Sequence, residues 1–233
     1  MDKKNKICLI ILLVCTVLVM GICTYAVCTH KRENIEDAQK IKREYERYNN
    51  ALIEGTDNRL VDVKIDENNP FVIKTPKEIL DVLKKEKAII FFGDSRSSLC
   101  RNAIEVLINV SYENNITKIY YVDIFGISDE YKYAGSIRPK KIKDGTIAYE
   151  EIRKFLGDKL KQYYVPDKKG NLYDTSVTRL YAPTLIAVNN GKVIGFHEKT
   201  VETHEDEFKK LNKDEKAELK IYYQNVIDKF NEV

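Results

Sequence analysis

Apolar positions along the chain fall into blocks whose spacing changes from one to the next. The first block, Ile7 to Cys28, is 22 residues without a charge. At about 1.5 Å per residue it can cross a hydrocarbon core of about 30 Å, so one transmembrane anchor is predicted over 7–28. Lys3, Lys4 and Lys6 precede it, which favours a cytoplasmic tail over 1–6 and an extracytoplasmic remainder. A cleaved signal peptide is the rival reading. Thr24 and Ala26 offer small residues for a cut, but the run exceeds the usual apolar region of about 7–15 residues.

The next block has helical spacing. Ala38, Ile41, Tyr45, Tyr48 and Leu52 recur every three or four positions, predicting a helix over 33–53 within a stalk spanning 29–58. Leu60 to Ile65 alternates apolar and polar residues, as a half-buried strand does. Thr75-Pro76-Lys77-Glu78 then reads as a helix start. Thr75 can cap, Pro76 suits the first turn and Glu78 completes a capping box. Ala88 to Phe92 is a continuous apolar run, predicting a strand buried on both faces.

After Gly93 a helical pattern resumes through Ala103, Ile104, Leu107, Ile108 and Val110, and Lys118 to Ile124 is a second strand. Strand, turn, helix and strand in so short a span make a βαβ unit. Further on, Asn189-Asn190-Gly191 lies between apolar runs, a strong hairpin signal. Asn212 and Glu215 open a final amphipathic helix carrying Leu219, Tyr222, Tyr223, Val226 and Phe230 on one face. Residues 126–180 lack the apolar content of a separate core and read as an insertion, helical over 146–164.

Composition narrows the classes. The chain is 43% hydrophobic and 32% charged, with five Pro and ten Gly in 233 residues. That excludes a wholly disordered chain, a collagen-like repeat and a multi-span membrane protein. About 205 residues follow the apolar run, enough for one domain with a core of its own. The net charge is +3, and without the first 28 residues it is +1, so nothing predicts a nucleic-acid partner. No His/Cys spacing suits a metal and no Gly-rich phosphate loop occurs, so no cofactor is expected. Cys8, Cys15, Cys23 and Cys28 lie in the apolar run, where they act as small hydrophobes. Cys100 alone lies in the domain, which can hold no internal disulfide.

Local sequence adds a resemblance. Phe91-Phe92-Gly93, Cys100-Arg101-Asn102, Lys118 to Asp123, Tyr181-Ala182-Pro183-Thr184 and Gly191 to His197 resemble exported thioredoxin-like proteins of Gram-positive bacteria, among them the bacteriocin-transport accessory proteins. The resemblance covers roughly 60–230. It implies an α/β, thioredoxin-like fold over 59–233, with a partly helical insertion at about 126–180, behind one transmembrane helix. It also implies the bacterial cell membrane as location and membership of the thiol-disulfide oxidoreductase superfamily.

The family's redox site is Cys-x-x-Cys at a helix start, and the matching residues are Ser97-Ser98-Leu99-Cys100. Cys100 matches the resolving position and Ser97 replaces the nucleophile. Thioredoxins proper also bury a carboxylate where this chain has Phe91. A hydroxyl forms no disulfide, and as a nucleophile Ser97 would need a base beside it. His30, His197 and His204 are all distant in sequence. Ser97 therefore reads as the cap of the helix carrying Cys100. The resemblance further implies a cis bond at Pro183, with Ala182 offering its backbone N–H and C=O to an extended peptide. Two functions follow as expectations. One is a thioredoxin-like protein impaired in redox cycling, with Cys100 as a lone thiol. The other is a non-catalytic module that binds a peptide or protein partner at the Ser97/Pro183 face.

Overall fold

The computed structural model describes residues 15–22, 34–135 and 138–232. Five strands form the central sheet: β1 (Phe71–Ile73), β2 (Lys87–Gly93), β3 (Ile119–Asp123), β8 (Thr184–Asn189) and β9 (Lys192–Glu198). Their order is β1-β3-β2-β8-β9. β1, β3 and β2 run parallel, whereas β8 pairs antiparallel with β2 and β9 antiparallel with β8.

Residue alternation along β2 sorts the core into two layers. Ile89 and Phe91 face one side, where they pack with α1 (residues 34–46), α3 (Ser98–Glu113) and α5 (Lys213–Asn231). Ala88, Ile90 and Phe92 face the other, with α2 (Pro76–Lys85) and α4 (Ile147–Leu156). Because both faces are covered, β2 is the uninterrupted apolar run that the sequence shows. Gly93 ends it where a Cβ would lie 2.8 Å from the rings of Phe91 and Tyr121 and 3.1 Å from the Tyr45 hydroxyl. Only glycine fits that junction.

Helix starts and the hairpin form as their residues dictate. The Thr75 side chain accepts from the Glu78 N–H while Glu78 Oε2 accepts from the Thr75 N–H at 2.8 Å. Asn212 and Glu215 repeat that arrangement at α5. Asn190 and Gly191 turn β8 into β9 with φ of 45° and 83°, the doubly positive backbone of a tight hairpin.

Three expectations are revised. Residues 60–65 are not a strand, although Leu60, Val61, Val63 and Ile65 are buried in near alternation. Side chains bind this backbone where a neighbouring strand otherwise would. Asn49 donates to the Val63 carbonyl and accepts from its N–H, each at 2.9 Å. Glu46 accepts from Ile65 N at 3.0 Å and Glu105 from Lys64 N at 2.7 Å. The stalk helix is α1, which ends at residue 46 and lies in the core of the domain, with Ala38, Ile41 and Tyr45 buried.

The insertion is the third. Its helix stops at Leu156, because Gly157 takes a positive φ of 52°, and the chain then alternates into a strand. Two further sheets result: β4 (Glu130–Lys132) with β5 (Lys140–Lys143), and β6 (Lys161–Pro166) with β7 (Leu172–Arg179).

The expected thioredoxin-like fold behind one transmembrane helix is corrected accordingly, to a mixed α/β architecture with a five-stranded mixed sheet and two small accessory sheets. Among the described residues no helix is long and apolar enough to cross a membrane. Of the apolar run, residues 15–22 are described and are helical. The rest of the predicted anchor over 7–28 lies outside the described residues.

Candidate functional site

The turn between β2 and α3 brings together the residues singled out from sequence. Asp94 begins it: its side chain accepts from Arg96 N and Nε, both at 2.9 Å, fixing the loop. Ser97 is the N-cap of α3, and its hydroxyl accepts from Cys100 N at 3.4 Å. Arg96 also reaches Asp123, at 3.5 Å, and covers the ring of Phe125. Asp123 ends β3 beside the turn. Burial pushes its carboxyl up, Asp94 adds to that, and Arg96 opposes it.

Cys100 sits one turn into α3 and is fully buried. Its sulfur accepts from Asp94 N at 3.3 Å. Burial pushes the thiol up to about 12, against smaller opposing effects of the Asp94 N–H and the Ser97 hydroxyl. Three tyrosines share this interior. Tyr45 and Tyr121 place their hydroxyls 3.4 Å apart, and Tyr223 is buried without a hydrogen bond to its hydroxyl. Such surroundings favour the neutral thiol. Among the described residues neither histidine serves Ser97 as a base: His197 Nε2 lies 3.0 Å from the Thr200 carbonyl and His204 Nδ1 lies 3.3 Å from Glu215, while His30 lies outside the described residues.

The Ala182-Pro183 loop closes the other side of the face. The bond is cis, the Pro183 carbonyl accepts from Lys199 N at 2.7 Å, and Thr184 Oγ1 donates to the Tyr181 carbonyl at 2.6 Å. Ala182 is half-buried and has no backbone–backbone hydrogen bond among the described residues. Ser97 and Ala182 line one cleft of about 450 Å³ together with Asp94, Phe125, Tyr131 and Arg179. The structure thus brings two predicted residues, Ser97 and Ala182, to one cleft, while Pro183, next to Ala182, and Cys100 are buried and do not line it.

A second cleft, about 620 Å³, is lined by Leu99, Lys161, His197, Glu198, Lys199 and Tyr222 and shares no lining residue with the first. Among the described residues no group of three His, Cys, Asp or Glu side chains is placed to hold a metal ion.

Sequence reasoning missed Arg101, Arg179 and Glu198. Arg101 is almost fully buried with no carboxylate as hydrogen-bond partner. It donates to the carbonyls of Val61, Tyr45 and Ser95 and to Asn49 Oδ1, tying α1, the 60–65 segment and the site turn together. Its signal was a helix apolar nearly all round, which requires cover on every side. Arg179 lies over the ring of Tyr163 and donates to Ser128 Oγ at 3.2 Å, one wall of the first cleft.

Compared with known proteins, the chain matches no family model, no curated protein and no solved structure. The resemblance expected from local sequence gains no support from them, and the description of the fold stays at the mixed α/β level given by the sheet order.

Proposed function

We propose that this chain is a non-catalytic binding module whose Ser97/Pro183 face takes an extended peptide or an extended segment of a protein partner, without thiol-disulfide cycling. One observation carries the reading. The domain's thiol, Cys100, has no exposed surface, and burial holds it at about 12. That is well above the ordinary thiol value and disfavours the thiolate at neutral pH. Exchange needs thiolate and access, and Cys100 has neither. What stays accessible is the Ala182 backbone beside a cleft of aromatic and charged walls, which suits strand addition.

The test titrates full-length, nitrogen-15-labelled protein with an N-acetylated alanine–serine hexapeptide and assays turnover of a disulfide substrate on the same samples. Amide shifts at Ala182, Tyr181 and Ser97, with turnover no greater than in Cys100→Ser, are expected. Ser97→Cys, which adds a thiol at a helix N-terminus, is expected to gain turnover. An absence of shifts at millimolar peptide, or native turnover abolished by Cys100→Ser, overturns the proposal.

A further inference from the structure

Among the described residues two acidic side chains, Asp129 and Glu198, bury both carboxylate oxygens without a partner, and of the two Glu198 lines a cleft. It ends β9 opposite Thr184, just beyond the Ala182-Pro183 loop. Its side chain is 2% exposed, and neither carboxylate oxygen has a hydrogen-bond partner. A buried carboxylate without donors is costly, and native interiors rarely keep one. Lys161 approaches to 3.7 Å, outside hydrogen-bond distance, with a side chain 62% exposed that is free to leave. Burial pushes the Glu198 carboxyl up, and the charges of Lys161 and Lys199 oppose this only in part.

The surroundings select among possible donors. Glu198 lines the cleft of about 620 Å³ on the same face of β9 as Phe196, and His197, on the other face of that edge strand, stacks on Tyr222 at 4.7 Å along the cleft's far side. Two free acceptors side by side match the planar fork of a guanidinium, and aromatic walls suit its flat faces. An ammonium offers no such fork, and the lysine already present does not close on the carboxylate. Lys199 of this cleft borders the first one: its N–H donates to the Pro183 carbonyl at 2.7 Å and its ammonium lies 5.5 Å from the ring centre of Tyr181, so a strand lying on Ala182, with its alternating side chains, runs beside Lys199.

We infer that the second cleft is a specificity pocket for an arginine side chain of the bound peptide, with Glu198 as the bidentate acceptor and Lys161 as the group displaced on binding. The inference rests on reading the Ser97/Ala182 face as a peptide groove.

The test is calorimetric, on full-length protein at low ionic strength. The probes are the alanine–serine hexapeptide, the same peptide with a central arginine, and the same peptide with citrulline there instead. N-acetyl-arginine amide serves as a probe of the pocket alone. The arginine peptide is expected to bind at least tenfold more tightly than the citrulline peptide. That preference vanishes in Glu198→Gln and grows in Lys161→Met, which removes the competing cation. Equal affinity of the arginine and citrulline peptides overturns the pocket and leaves the groove standing. If no peptide binds, the groove reading fails. The pocket then stands only if N-acetyl-arginine amide binds native protein and not Glu198→Gln, and falls if it does not.

Discussion

At Glu198 the ligand-free chain carries a carboxyl that burial holds above its ordinary value of 4.5. The consequence for stability has a definite sign. Below the ordinary value both folded and unfolded chains hold the proton, and Glu198 imposes no penalty. As pH rises past that value the unfolded chain releases its proton first, so stability falls until the folded chain has released its own. Lys161 offsets little of this, because its side chain is largely exposed. The urea midpoint of Glu198→Gln should therefore match the native protein near pH 4 and exceed it at pH 8. An equal difference at both values would contradict the assignment. A residue that lowers the stability of the empty protein while serving its ligand follows the usual trade between stability and function. Nothing in the local sequence marks Glu198, since its surroundings come from Lys161 and Tyr181, residues remote in the chain. Ser97 and Cys100 were legible because cap and thiol belong to one contiguous turn.

Elements were legible where their partners are local. The capping boxes at Thr75 and Asn212 and the Asn190-Gly191 turn are closed by residues two or three positions away. The 60–65 segment shows the converse. Its alternation reports burial on one side, but a strand also needs a backbone partner, and this one is bound by side chains of α1, of the turn that follows it and of α3 instead. Asn49 is the central case, bonded to both backbone groups of Val63 and to Arg101. Asn49→Ala leaves those groups and part of the Arg101 guanidinium without partners, and should destabilise the protein by about 2 kcal/mol or more. Chemical denaturation measures it, and a loss under about 0.5 kcal/mol, the range of an ordinary surface change, would show that the segment holds without Asn49. The β6–β7 hairpin was missed for a related reason. Tyr163-Tyr164-Val165 and the turn ending at Gly170 carry strand and turn chemistry, yet the hairpin builds a separate sheet outside the main core.

At the scale of the molecule, the two clefts join parts of very different burial. β2 is buried along its length from Ala88 to Gly93, and α3 contributes eleven buried residues beneath the site turn. The insertion is anchored through α4, whose Tyr149, Ile152 and Leu156 enter the layer shared with α2, and Tyr149 accepts from Leu180 N at 3.2 Å. Beyond that anchor, no residue of β4 or β5 is buried, although Tyr131, Ile142 and Lys143 from these strands line the first cleft. One wall is thus continuous with the core and the other is held by few apolar contacts, the condition for local opening well below the free energy of global unfolding. Hydrogen exchange should separate them. Amides of β4 and β5 are expected to exchange on the order of 100-fold or more faster than those of β2, and to slow when a peptide fills the cleft. Equal protection of β4–β5 and β2 in the free protein would mean that the wall is preformed, and ligand entry would then owe nothing to its movement.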